Sequence, residues 1–240
     1  MGLTLTVLGT CGSYPGAGQA CSGYLVQCAS TTLWLDAGSG TLANLQRHVG
    51  IADVDAVVIT HEHPDHWGDL TGLYVACKYF LQRERVPVYA PAGVRERCYY
   101  RDLPLDWMRI GDGDRFDIGN LQLRFSRTDH PPETLAVRID GDGRSLAYSA
   151  DTGEAWSFDR LGSGIDLALC EAGFAEDDPG GRHLHLSAQQ AGAMARRAGV
   201  ERLLLTHLPP TADAAACKAE ATESFGAPVE IATQNERYDV

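Results

Sequence analysis

The stretch Val54-Asp55-Ala56-Val57-Val58-Ile59-Thr60-His61-Glu62-His63-Pro64-Asp65-His66 decides how this chain is read. Its first half is an apolar, β-branched run of the kind that fills a buried strand. Its second half puts His61, His63, Asp65 and His66, four ligand-type side chains, within six positions of that strand's end. Histidines at i and i+2 of a tight loop can turn both imidazoles onto one ion, while the aspartate at i+4 and the histidine at i+5 turn towards a second. Imidazole combined with carboxylate suits zinc, with manganese or iron as the alternatives. A polar loop of merely hydrogen-bonded histidines is the bland reading, and it does not require donors at this density.

Working outward, strands are expected at 3–8, 23–28 and 31–35, the last two joined by an Ala29-Ser30 turn, followed by a helix near 41–49. Beyond the histidine cluster come a helical stretch near 66–82, a strand at 86–90, a helix from 93, and strands near 121–127, 134–140 and 144–150. Asp140-Gly141-Asp142-Gly143 is a hairpin turn. It is no calcium loop, because Arg144 takes the fifth position and the required glutamate is missing. A strand at 165–170, a helix at 187–199, a strand at 202–206, a helix at 211–225 and a strand at 228–233 complete the chain. Strand runs followed by helix-flanked strands, occurring twice, imply two packed sheets with helices outside. At 240 residues the chain fits one domain, 1–240.

Three further candidates stand where the cluster stands, at the ends of apolar strands: His130 after 121–129, Asp151 after Leu146-Ala147-Tyr148-Ser149-Ala150, and His207 after Leu203-Leu204-Leu205-Thr206. Singly each is more often a cap than a ligand. Beside the cluster they gain weight together.

These residues carry a resemblance. His61-Glu62-His63-Pro64-Asp65-His66 resembles the H-x-H-x-D-H pattern of metallo-β-lactamase-fold hydrolases, and His130, Asp151 and His207 match that family's later single ligands. Leu8-Gly9-Thr10-Cys11-Gly12-Ser13-Tyr14-Pro15 and Leu35-Asp36-Ala37-Gly38-Ser39-Gly40-Thr41 are similar to the glycine loop and the D-x-G-x-G-T segment of the ribonuclease Z-like branch. The resemblance implies an α/β, four-layer αβ/βα fold with two mixed sheets packed face to face. It also implies two divalent metal ions, with zinc favoured. His61, His63 and His130 would hold one, Asp65, His66 and His207 the other, and Asp151 would bridge them. In such a site a metal-bridging hydroxide attacks the substrate and Asp65 helps to orient it.

Arg182-His183-Leu184-His185-Leu186-Ser187 resembles a motif found just ahead of a helix in the phosphodiesterase branch, which makes His185 the catalytic histidine and leaves His183 a lesser candidate. Ser187 reads as a helix N-cap rather than a nucleophile. The stretch from Gly153 to His183 is short and acidic, with Glu176, Asp177 and Asp178, whereas ribonuclease Z carries a long basic arm. That departure turns the resemblance towards bacterial cyclic-nucleotide phosphodiesterases. A ribonuclease Z-like RNA endonuclease is the first alternative, and a lactam, lactone or thioester hydrolase on the same metal pair the second.

Composition agrees with a small substrate. The formal net charge is −12, and the arginines form only short pairs such as Arg83 with Arg85 and Arg95 with Arg97, so the counterion-releasing surface that binds long nucleic acid is not visible. No secretory leader or 18-residue apolar span appears, and the seven cysteines are odd in number without a C-x-x-C pair. The expected setting is the cytoplasm with free thiols, away from membranes, and a homodimer is possible because many relatives are dimers. Cys11 and Cys170, at strand ends, read as buried core thiols. The Tyr79-Phe80 and Tyr99-Tyr100 pairs read as core or interface rather than as a base pocket.

Overall fold

The computed structural model describes residues 2–174 and 184–240. Among these, the first sheet holds β1 (Thr4–Gly9), β2 (Gly23–Cys28), β3 (Thr31–Ala37), β4 (Ala56–Val58), β5 (Val86–Ala90), β6 (Leu105–Arg109) and β14 (Arg237–Asp239), in the order β14-β1-β2-β3-β4-β5-β6. The second holds β7 (Arg115–Ile118), β8 (Leu121–Arg127), β9 (Leu135–Gly141), β10 (Arg144–Tyr148), β11 (Leu167–Glu171), β12 (Arg202–Thr206) and β13 (Glu230–Ile231), ordered β13-β12-β11-β10-β9-β8-β7. Both sheets are mixed: β3 to β6 run parallel, as do β10 to β13, and antiparallel strands complete each sheet.

The helices are α1 (Thr41–Leu45), α2 (Pro64–Trp67), α3 (Leu70–Val75), α4 (Ala92–Arg97), α5 (Ala188–Arg197) and α6 (Ala214–Phe225). Strand β3 shows why they lie outside. Leu33 and Leu35 enter the core between the sheets, while Trp34 turns to the other face and packs with Leu45 and Leu73 beneath α1 and α3. Both faces of the strand are therefore apolar and buried, as parallel strands between two layers must be. On the second sheet Leu203 and Leu205 play the part of Trp34, packing under Met194 of α5 and Phe225 of α6. The result is the expected helix–sheet–sheet–helix sandwich.

Three strands escape sequence reading: β6, β7 and β14. The first two are edge strands with mostly half-exposed or exposed side chains, and β14 buries only Tyr238, so none presents an apolar run. The helical stretch expected at 66–82 is interrupted. The Asp69 amide donates to the carbonyl of Ala37 at the end of β3, which diverts it from the helical ladder, and a π turn over Ala76–Phe80 then continues α3. The 140–143 turn behaves as expected, with Asp142 and Gly143 both at positive φ, the requirement of a type I′ hairpin. All seven cysteines are free thiols. No described helix is long and apolar enough to cross a membrane.

Candidate metal centre

Strands β3 and β4 of one sheet, and β10, β11 and β12 of the other, deliver their carboxyl ends to one rim of the sandwich. Open α/β sheets place ligands at such ends. Past β4, Thr60 donates to Asp36 through its amide at 2.8 Å and its hydroxyl at 3.0 Å, so the loop leaves the strand at a fixed angle. Pro64 then opens α2 at the position where its fixed φ suits a helix start and its missing N–H costs nothing. The Trp67 indole donates to the Glu62 carbonyl at 2.9 Å and closes the turn. His61, His63, Asp65 and His66 thus face one space.

Asp151, His207 and His130 reach the same space from the second sheet. Ala150 and His207 hold positive φ angles of 50° and 56°, and Asp36, at the end of β3, holds 53°. These left-handed bends, uncommon outside glycine, re-aim the chain where each strand meets the site.

The seven side chains divide at the Asp151 carboxylate. Its Oδ2 lies 3.3 Å from Nε2 of His61 and 3.8 Å from Nε2 of His130. Nδ1 of His63 completes that side, 3.1 Å from His61 Nε2 and 3.3 Å from His130 Nε2. Its Oδ1 lies 3.3 Å from Nε2 of His66 and 3.4 Å from Nε2 of His207, and Asp65 Oδ2 stands 3.3 Å from the same His207 nitrogen. Two donor clusters result: His61, His63, His130 and Asp151, and Asp65, His66 and His207.

This donor set fits divalent cations. Asp151 Oδ1 is buried and makes no hydrogen bond, an arrangement that costs free energy unless something else satisfies the oxygen. Burial drives His61 down to about 3, towards the neutral imidazole that ligates metal. Burial works against ionising Asp65 and Asp151, yet the histidines around them outweigh it and hold both carboxyls well below the usual range. His66 is also opposed by burial, but the carboxylates of Asp151, Asp36 and Asp65 keep it well above its ordinary value, a concentration of negative charge that a divalent cation would balance. Divalent metal use by this cluster follows from the donor chemistry.

Behind the donors stands a second tier that sequence reading missed. Asp36, fully buried, accepts from His66 Nδ1 at 2.7 Å and from the Tyr148 hydroxyl at 3.1 Å across the two sheets. Glu171, also fully buried at the end of β11, takes Nδ1 of His185 at 3.0 Å, the Thr152 amide at 2.7 Å and the Gly173 amide at 2.9 Å. The signal was available: an acid directly after an apolar strand, the same signature that singled out Asp151. Such partners orient a histidine and set its tautomer. Replacing Asp36 with Ala should therefore lower metal affinity about 10- to 100-fold, read by competition with a chelator of known strength. Unchanged affinity would reduce Asp36 to a cap for Thr60.

His185 stands at the border of the two clusters, with one ring nitrogen within 4.8 Å of donor atoms of Asp151 and His207. Its ring lies 5.0 Å from that of His130 and 5.4 Å from that of His207, and its side chain is 27% exposed. Burial opposes its protonation, but the Glu171 carboxylate prevails and lifts it to about 9. Ser187, two residues on, is the N-cap of α5 in a reciprocal pair with Gln190. Cys170 is core, and Cys11 is buried, bridging the backbones of Cys21 and Leu208. Tyr79, Phe80 and Tyr99 are exposed, so they are not core, and Tyr100 stacks on Tyr74 at 3.9 Å. His183 and the acidic Glu176, Asp177 and Asp178 lie outside the described residues.

Comparison with known proteins agrees with this geometry. Residues 31–208 match the family described as the beta-lactamase superfamily domain. An uncharacterized protein of Mycobacterium tuberculosis is 36% identical, covering 98% of this chain and 92% of its own length. The probable metallo-hydrolase YhfI of Bacillus subtilis is 31% identical over 96% of this chain and 97% of its own. The crystal structure of YhfI superposes with a TM-score of 0.91 at 29% identity, covering 99% of this chain and 100% of that one. A ribonuclease Z of Methanopyrus kandleri is 28% identical over 93% of both chains.

Proposed function

Because the chain belongs to the beta-lactamase superfamily of metallo-hydrolases, we propose that it is a dinuclear phosphodiesterase of the cytoplasm that hydrolyses a small phosphodiester of the 3′,5′-cyclic nucleotide class. The observation that carries this reading is the division at Asp151, whose two carboxylate oxygens face two separate donor clusters. In the proposal His61, His63 and His130 would hold one ion and Asp65, His66 and His207 the other, with Asp151 as a donor available to both and zinc the favoured metal. A bound pair of this kind lowers the pKa of water and stabilises the attacking and leaving oxygens of a phosphate ester.

The chain's own residues do the rest. The Ser13 amide donates to Asp65 Oδ2 at 2.8 Å, keeping that carboxylate turned into the site, where Asp65 and Asp151 orient the attacking oxygen. Glu171 occupies Nδ1 of His185, so Nε2 is the nitrogen left to protonate the departing ribose oxygen or to hydrogen-bond the phosphoryl group. A ribonuclease Z among the relatives supports phosphodiester chemistry, since a ribonuclease cleaves that bond. The net charge of −12 supports a small substrate over RNA.

The test reconstitutes the chain with zinc or manganese and offers it cyclic nucleotides, bis(p-nitrophenyl) phosphate, RNA, a lactam and a thioester. Expected are about two metal equivalents per chain by elemental analysis, because seven donors exceed one tetrahedral site, and turnover of the first two substrates. Cleavage of RNA in preference to them would move the reading to a ribonuclease, preference for the lactam or thioester to an acyl hydrolase. Fewer than one metal equivalent would refute the dinuclear site.

A further inference from the structure

On the outer face of the second sheet, along clefts that none of the candidate metal donors lines, three arginines stand in a row. Register pairs Arg115 of β7 with Arg124 of β8, and Arg124 with Arg138 of β9. Their strand neighbours Leu123, Phe125, Val137 and Ile139 point the other way, into the core, so all three guanidinium groups share the outward face. Directly opposed side chains in an antiparallel pair sit about 5 Å apart, and like charges there destabilise the sheet. A chain with 20 basic and 32 acidic residues has nonetheless set three cations side by side.

Part of the row has local employment. Arg138 pairs with Asp140 at 2.9 Å and donates to the carbonyls of Ser163 and Gly164. Arg124 donates a single bond, 3.0 Å to the Leu161 carbonyl, towards which Arg138 Nη1 also points at 3.5 Å. Arg115 is exposed and makes no side-chain hydrogen bond or ion pair among the described residues. The row lines a cleft of about 600 Å³ together with Gln122, Asp117 and Asp140. Arg115 and Arg124 also line an adjoining cleft of about 310 Å³, where Arg160 joins them. Asp140 is already taken by Arg138, so across the two clefts Arg115, Arg124 and Arg160 face Asp117 and Asp112, and Asp112 already accepts the Arg127 amide at 2.8 Å.

We propose that this arginine row is a second ligand site, binding a phosphate-class oxyanion between Arg115 and Arg124 with Arg160 at its edge. Guanidinium forks match the oxygens of phosphate in paired, charge-assisted hydrogen bonds, and an anion there replaces the repulsion within the row by attraction. The anion can be free phosphate or the phosphate group of a small ester, two sources with one chemistry.

The test uses the metal-loaded full chain and its Arg115→Gln variant, chosen because the exposed Arg115 side chain makes no hydrogen bond or ion pair among the described residues and folding should survive its loss. Inorganic phosphate, AMP and, at matched ionic strength, sodium chloride are titrated into both while melting temperature is followed. Binding at the metal centre is common to both proteins, so the difference between them reads the arginine row alone. In wild type, phosphate or AMP should raise melting by several degrees beyond the chloride control, and Arg115→Gln should weaken that effect about tenfold in apparent affinity. AMP acting at lower concentration than phosphate would identify an ester as the ligand. Without anion at low salt, Arg115→Gln should melt no lower than wild type, since it relieves repulsion. Hydrolysis of bis(p-nitrophenyl) phosphate should be the same in both proteins, which keeps this result separate from the phosphodiesterase reading. Identical shifts in both proteins, or a chloride effect as large as that of phosphate, would overturn the site.

Discussion

Asp151→Ala is expected to reduce turnover by about three orders of magnitude or more and to release at least one metal equivalent, while the chain stays folded. The size follows from what the carboxylate touches. It is the one proposed donor facing both clusters, so its loss should weaken the binding of both ions of the proposed pair. A metal's electrostatic contribution to a transition state is several kcal/mol, and each 1.36 kcal/mol is tenfold in rate. Folding should survive because Asp151 lies at the strand's rim, just past the end of β10, and its side chain bears on the site rather than on either hydrophobic layer. Elemental analysis and a melting curve on the same preparation separate the two effects. An Asp151→Ala variant with full activity and both ions would show that Asp151 serves only to end its strand.

His185→Ala should behave differently, losing roughly two to four orders of magnitude in turnover with metal content nearly unchanged. The geometry predicts the difference, because His185 leans on His130 and His207 without approaching the Asp151 oxygens as closely as His61 and His66 do. If it protonates the leaving oxygen, a p-nitrophenyl phosphodiester, whose leaving group needs little help, should be much less impaired than a cyclic nucleotide. Equal impairment on both would leave His185 a stabiliser of the phosphoryl oxygens. Glu171→Gln probes the same histidine from behind: it keeps the side chain's shape but replaces the carboxylate that accepts from Nδ1. Turnover should fall in that variant with less effect on metal, and a fully active His185→Ala protein would return the residue to a neighbour of the α5 cap and reopen the acyl-hydrolase alternative.

The alternation of strands and helices and the principal candidate donor cluster were legible in the sequence because both are local in the chain, whereas the four-layer arrangement was legible only through the family resemblance that those motifs carry. An apolar β-branched run from Val54 to Ile59 announces a strand buried on both faces, and the histidines that follow it are contiguous with that announcement. His130, Asp151 and His207 were legible by the same signature, a ligand-type residue just past an apolar strand. Strands β6, β7 and β14 were not, since edge strands bury few side chains and leave little periodicity to read.

Tertiary structure alone decided which Asp151 oxygen faces which histidines, that Asp36 from β3 would stand behind His66, and that Glu171 from β11 would stand behind His185. It also decided that Arg115, Arg124 and Arg138, separated along the chain, would become neighbours. The physical reason is common to all of these. A strand's own residues dictate that it will be buried and where it will end, but its neighbours, register and facing partner are set by how two sheets pack over one core, and no single segment carries that information.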